Sequence, residues 1–257
     1  MIVKNEEEKE ILRKGGVRLA AILEALKQMV TPGISTHLLE DRARALIKEA
    51  GGTPAFLGYT PQGSDRPYPS ALCVSINEEI VHGIPNEHPV EIMNGDVVTL
   101  DCGLVYEGYI TDAAVSLVAG KGSKKDHDLV SAVHEALEAG IGVARAGATT
   151  GDIGYAIDQI GNKYNVRAPL ELGGHGVGKS VHEEPFVPNW GKKGEGAMLS
   201  DGMVIAIEPM FSLGTDEIML ADDGYTYMTK DGSKAAHAEH TVLITKEGAE
   251  VLTASRH

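Results

Sequence analysis

Carboxylates set into apolar strands are the features of this chain that call for chemistry. Residues 94–118, NGDVVTLDCGLVYEGYITDAAVSLV, contain two β-branched runs, 97–101 and 110–117, which read as strands joined by a connection holding Gly103 and Gly108. Side chains alternate across a strand, so Val97, Thr99 and Asp101 share one face while Val98 and Leu100 take the other. Asp112 opens the second run ahead of Ala113, Ala114 and Val115, so the hairpin brings a second carboxylate close to the first. Two carboxyls buried together need a cation or a shared proton. Each also has a purely local reading, Asp101 opening a turn before Cys102 and Gly103 and Asp112 capping a loop, because aspartate favours turns.

The chain repeats the layout. SDGMVIAIEPM, residues 200–210, has a turn with Asp and Gly, an apolar run, and then Glu208 where Asp101 stands in NGDVVTLDCGL. Ahead of each lies a similar segment, 31–51 and 144–165, with a Gly, a hydroxyl pair and apolar residues at helical spacing. A repeat of this size predicts two halves related by a pseudo-twofold, each lending acids to one site. Between them, ELGGHGVGKSVHEEPFVP (171–188) frames His175 with glycines, which let backbone approach closely, and brings His182 seven residues later. The glycine spacing is not a dinucleotide fingerprint, because HEEP and Pro188 spoil the helix that fingerprint must open. The last acid is Glu239 in HAEHTVLIT, placed before an apolar strand as Asp112 is. His237 and His240 flank it; strand alternation is taken to send both to the opposite face, as structural residues.

Asp101, Asp112, His175, Glu208 and Glu239 therefore supply four carboxylates and one imidazole. An oxygen-dominated set of this kind suits two hard or borderline divalent ions bridged by carboxylates and a hydroxide, not a thiolate-rich structural zinc. Such ions lower the pKa of bound water and polarise a carbonyl, so hydrolysis is the expected reaction.

The elements that must position these groups follow from periodicity. Leu12, Leu19, Ile22, Leu23, Leu26 and Met29 recur at spacings of three and four, which predicts a helix over 6–30. A second helix, capped by Ser35 or Thr36, carries the stripe Leu39, Ala43, Leu46 and Ile47 and stops at Gly51 and Gly52. A third covers 126–144 with Leu129, Val133, Leu137 and Ile141 on one face; a fourth, capped by Thr150 or Asp152, runs through Asn162. Four helices and at least six strand-like runs joined by short turns predict an α+β sandwich, helices outside an antiparallel sheet. Residues 58–70, GYTPQGSDRPYPS, read as a loop, either a gate to the cleft or a plain surface excursion.

The 257 residues suit one domain, and the net charge of −14 argues against a nucleic-acid backbone or anionic membrane as the main partner. Two cysteines make no disulfide framework, and the acidic opening MIVKNEEEKE lacks the form of a signal peptide, so a cytoplasmic protein is expected.

Taken in order, VHGIP, DCG with TDAA, GHGVG with HEEP, AIEPM and AEHTVLIT closely resemble the type I methionine aminopeptidases. The resemblance runs from the first helix to Thr245. It implies the pita-bread fold in a single catalytic domain over 1–257, and removal of the initiator methionine from nascent polypeptides by a monomer, with the ribosome as a further partner. It implies two divalent ions, Co, Mn, Fe or Zn. Carried onto these residues, it makes Asp101 and Asp112 ligands of one ion, Asp112 also bridging, with His175 and Glu208 on the other and Glu239 bridging both. Glu208 then doubles as proton shuttle for the attacking water, His182 stabilises the oxyanion, and His82 contacts the scissile amide. Phe56, Tyr59 and Cys73 line the methionine pocket, with Tyr225 across the cleft. The sequence departs from the family pattern here: Tyr225 stands where many relatives have Trp, Val181 precedes His182 where an aromatic is common, and the loop after Tyr59 is longer. Proline-peptide hydrolases share the ligand set but normally carry a further N-terminal domain; non-catalytic pita-bread binding modules usually lose ligands.

Overall fold

The computed structural model describes residues 1–61, 64 and 66–254; part of the 58–70 loop lies outside the described residues. In chain order the elements are α1 (Glu6–Lys27), α2 (Thr36–Glu49), β1 (Thr53–Pro54), β2 (Leu72–Ile76), β3 (Glu79–Val81), β4 (Val97–Tyr106), β5 (Tyr109–Val118), α3 (Lys124–Val143), α4 (Thr150–Tyr164), β6 (Gly173–Gly176), β7 (Glu183–Pro188), β8 (Val204–Ile207), β9 (Met210–Ser212), β10 (Ile218–Leu220), β11 (Tyr227–Thr229), β12 (Ala235–His237), β13 (Glu239–Ile244) and β14 (Ala249–Val251). The main sheet runs β1-β4-β5-β13-β8-β6-β7, with β2 also on β4 and β14 on β13, and every pairing is antiparallel.

The expected helices form for the reasons read from the sequence, with shifts at their ends. Asn5 caps α1 by accepting from the Glu8 N–H, and three glutamates in its first turn favour the positive helix end. The N-cap of α4 is Thr149, one residue before the expected Thr150; Asp152 is the return partner of a capping box rather than the cap. Ser123 and Asp126 make the same box at α3, which therefore starts two residues before the expected Asp126. The hairpin is longer than expected because Gly103 lies inside β4. Its turn is Glu107-Gly108, both at positive φ (48° and 78°), the two-residue geometry that matches strand twist. Gly103 is needed for packing, since a Cβ there would stand 2.6 Å from the Phe56 ring.

Helices cover one side of the sheet in two groups. Leu19, Leu26, Leu39, Ala43 and Ile47 of α1 and α2 pack with Val98, Leu100, Cys102 and Leu104, the even-numbered face of β4. Leu129, Val133, Leu137, Ile153 and Ile157 of α3 and α4 pack with Ile205, Ile207, Val242 and Ile244 of β8 and β13. Each fully buried Leu or Ile contributes roughly 1.5–3 kcal/mol through lost apolar hydration. The two groups are the two halves of the repeat, and they hold the alternate face of four adjoining strands toward a common cleft. This α+β architecture, an antiparallel sheet flanked by helices in two related halves, is the one the resemblance implies.

Candidate active site

The register brings the acids together. Asp101 pairs with Ala114 and Asp112 with Gly103, so the two aspartates are diagonal neighbours on one face of β4 and β5. Glu239 also pairs with Ala114 and so shares that face. On the other edge of β13, Thr241 pairs with Ala206, which points the side chain two residues on, Glu208, to the same side. The Thr241 hydroxyl donates to the Asp112 carbonyl (2.7 Å) and accepts the Asp112 N–H (2.8 Å), fixing the backbone between β5 and β13. Asn189 holds Glu208 by donating to its carbonyl at 3.0 Å.

His175 arrives on β6, which can lie against its neighbours only because of its glycines. A Cβ at Gly174 would stand 2.3 Å from the Ala206 carbonyl oxygen, and one at Gly176 would stand 2.2 Å from that of Glu184. Nδ1 of His175 lies 2.9 Å from the Gly176 carbonyl and donates to it, which leaves the Nε2 lone pair facing the acids, 3.3 Å from Glu208 Oε1.

These carboxyls are buried with their neighbours' negative charge. Burial first, and then the other carboxylates, push Asp101, Glu208 and Glu239 well above the ordinary acid range; burial raises Asp112 as well, and the two aspartates are close enough to share a proton. Burial holds His175 neutral, its pKa lowered to about 3, and the adjacent His182 adds to the effect. One oxygen each of Asp101, Asp112, Glu208 and Glu239 is buried with no hydrogen-bond partner. A folded protein leaves such groups orphaned at a cost of about 1–3 kcal/mol each unless something absent from the polypeptide satisfies them. Ligand atoms of Asp112, His175 and Glu239 lie within 4.8 Å of one another, and so do those of Glu208, His237 and Glu239. The donor set and its unmet oxygens thus fit divalent cations.

His237 corrects the expectation that it turns away from Glu239. His237 ends β12 and Glu239 opens β13, and both line the cleft, whereas His240 does not. His237 is fully buried, lines the cleft, and brings Nε2 to 3.4 Å from Glu208 Oε2. His240 is structural as expected, its Nδ1 lying 2.9 Å from the Thr253 hydroxyl.

The cleft, about 610 Å³, continues from the acids into an aromatic end. Phe56, Tyr59, Cys73 and Tyr225 all line it, joined by Val181 and by Tyr68, which the sequence reading did not single out. Tyr68 packs edge-on against Tyr225, centroids 5.2 Å apart, and its hydroxyl donates to the Gly83 carbonyl at 2.9 Å. The Tyr225 hydroxyl donates to the Arg66 carbonyl, which ties Arg66 to the aromatic end of the pocket. Arg66 in turn makes a two-pronged ion pair with Glu87 and donates to the Asp223 carbonyl (2.9 Å).

His182 stands at the exposed rim, its ring 4.4 Å from that of His175. Its Nδ1 is 3.0 Å from the Tyr59 hydroxyl; with that hydroxyl as donor, the ring proton is on Nε2. His82 adopts φ 64°, a strained conformation that aims its ring into the cleft, edge-on to Tyr227. Its pKa is lowered to about 4, chiefly by burial and then by His182, so it too is neutral.

Comparison with known proteins agrees with this geometry. The model of metallopeptidase family M24 matches residues 10–246. A methionine aminopeptidase of Aquifex aeolicus is 49% identical over 253 residues, 97% of each chain. The crystal structure of a methionine aminopeptidase from Thermotoga maritima superposes with a TM-score of 0.93 at 38% identity, covering 99% of this chain and 100% of that one. A prolidase from Pyrococcus furiosus shares the fold alone, at a TM-score of 0.75 and 24% identity, with 66% of its chain covered. Matches of this extent to a metal-dependent peptidase family place the observed acids and imidazoles in context: this chain belongs to metallopeptidase family M24 and, within it, to the methionine aminopeptidases.

Proposed function

We propose that the chain hydrolyses the first peptide bond of polypeptides that begin with methionine, using two divalent cations held by Asp101, Asp112, His175, Glu208 and Glu239. The observation that carries this is the convergence of four carboxylates, each with an unsatisfied buried oxygen, at the end of an aromatic and thiol-lined pocket. Bound cations supply a nucleophilic water at neutral pH and a Lewis acid for the carbonyl. The polypeptide supplies the rest. Phe56, Tyr59, Tyr68 and Tyr225 offer ring faces and edges, and Cys73 a thiol, to an unbranched thioether side chain, a soft surface for a soft sulfur. Glu208 takes the proton of the attacking water and returns one to the leaving amine. His182, its Nδ1 occupied by Tyr59, donates from Nε2 to the carbonyl oxygen as charge develops there. His82, which lines the cleft, hydrogen-bonds the scissile amide in this reading. A nascent polypeptide with methionine first is the substrate, and the cytoplasm is the compartment, where buried Cys73 and Cys102 remain thiols.

The test is methionine release from Met-Ala-Ser by chelator-treated protein resupplied with Mn, Co, Fe or Zn, next to Asp112→Ala. The wild type releases methionine with at least one ion, and the variant is folded and inactive. Folded wild type that is inert with all four ions, or a variant with full turnover, refutes the assignment. A non-catalytic binding module gives the first of these results.

A further inference from the structure

Beyond the five groups carried over by resemblance, a further imidazole, that of His237, stands against Glu208 and Glu239 in the cleft. His237 is 1% exposed, and neither of its ring nitrogens has a hydrogen-bond partner. A buried imidazole in that state forfeits about 1–3 kcal/mol of polar solvation. Its main chain is clamped on both sides of the peptide: Ser116 Oγ donates to the His237 carbonyl at 2.6 Å and accepts the His237 N–H at 3.0 Å. β12 then pairs His237 with Met210, two residues beyond Glu208. A residue fixed this firmly, with both nitrogens idle, is positioned for something the polypeptide does not supply.

The spacing says what. Nε2 stands 3.4 Å from Glu208 Oε2, outside the range of a hydrogen bond to it, and within 4.8 Å of a Glu239 oxygen. Two donors each about 2.1 Å from one ion at the tetrahedral angle are about 3.4 Å apart. His175 Nε2 lies at the matching distance, 3.3 Å, from the other Glu208 oxygen. The two imidazoles therefore flank one carboxylate, each addressing a different oxygen.

We infer that His237 is a sixth ligand of the metal centre, bound through Nε2 to the ion that Glu208 and Glu239 hold. This rests on the proposed metal-dependent activity and refines it. Ligand atoms group as Asp112, His175 and Glu239 and as Glu208, His237 and Glu239, so His237 adds a nitrogen to the carboxylates of its position and makes it a borderline one that suits Zn, Co or Fe(II).

The experiment is metal binding to chelator-treated full-length protein, compared among wild type, His237→Gln and Glu208→Gln. Zn is titrated against a fluorescent chelator, and the Co form is read by its visible absorption. His237→Gln is expected to weaken the tight Zn position at least about tenfold and to shift the Co bands, as loss of a nitrogen ligand requires, with Mn affinity changed far less. Unchanged Zn affinity and an unchanged Co spectrum in His237→Gln overturn the inference. If Glu208→Gln nevertheless loses the tight ion, only the role of His237 fails; if Glu208→Gln also binds as wild type, the metal centre itself is wrong. Should His237→Gln not fold, judged by far-UV circular dichroism, ring ¹⁵N shifts of the wild type decide. Zn must move two imidazole Nε2 signals in the cleft, and movement of His175 alone overturns the inference.

Discussion

Replacing Asp112 with asparagine separates stability from function, and the structure sets the direction of both. Asp112 is 3% exposed and packed against Asp101, and its carboxyl is raised from 3.8 to about 7, chiefly by burial. Between those values the folded chain keeps a proton that the unfolded chain has lost, so stability falls with rising pH; above about 7 both states are ionised and the full penalty stands. About three pH units at 1.36 kcal/mol each give roughly 4 kcal/mol, and water in the cleft reduces this to roughly 2–4 kcal/mol. An asparagine amide removes the charge, keeps the shape and can donate to Asp101. In a chain of this length that gain raises the melting temperature by about 5–15 °C at pH 8 in the presence of a chelator. Roughly half of the advantage disappears by pH 5.5, where wild-type Asp112 carries its own proton in the folded state. Added Mn or Co inverts the order, because mass action stabilises only the chain that binds the ion tightly. Calorimetry of both proteins, with and without metal, at pH 5.5 and 8 tests this. A variant less stable than wild type in chelator at pH 8 refutes the view that these acids are held together against their own repulsion.

Two further outcomes follow from single contacts. Glu79 accepts the Ile76 N–H at 2.9 Å, but burial raises its pKa to about 7, so at pH 8 it is ionised in a poorly solvated place. Glu79→Gln keeps the acceptor and is expected to gain roughly 1–2 kcal/mol in urea unfolding at pH 8, the gain shrinking toward pH 5; a loss at pH 8 contradicts this. Tyr59→Phe keeps the ring edge-on to His182 and removes the hydroxyl at Nδ1. One hydrogen bond of about 1 kcal/mol predicts a kcat several-fold to tenfold lower on a Met-Ala peptide with KM little changed, and a rise in KM alone would assign Tyr59 to binding instead.

What the sequence displayed of all this depended on range. Helix stripes, the capping residues near Thr149 and the β-branched runs are local signals and gave the elements within a few residues, although the Ser123 cap of α3 was not read. The hairpin turn was misplaced because Gly103 looks like a turn residue, whereas its missing side chain makes room for Phe56 from a distant loop. Asp101, Asp112, Glu208 and Glu239 were legible as a set because each sits beside an apolar run. Tyr68 was not, since nothing near it in sequence shows that it meets Tyr225. His237 was legible but misread: it ends β12 just before Glu239 opens β13, and both line the cleft.

The repeat explains where the two halves diverge. In β4 the acid Asp101 lies within a continuous strand, and the chain passes on through Cys102 and Gly103 to the hairpin turn. In β8 the corresponding acid, Glu208, is followed by Pro209, which cannot donate to a ladder, so the strand ends at Ile207 and resumes as β9 at Met210. That break frees the Glu208 carbonyl for Asn189 and the Pro209 carbonyl for the Ala238 N–H (3.2 Å), which separates β12 from β13 between His237 and Glu239. The first half thus presents carboxylates from an unbroken ribbon, and the second presents Glu208, His237 and Glu239 from either side of an interruption. The same layout, interrupted by a proline in its second copy, thus presents two carboxylates from a continuous hairpin on one side and two carboxylates with His237 on the other.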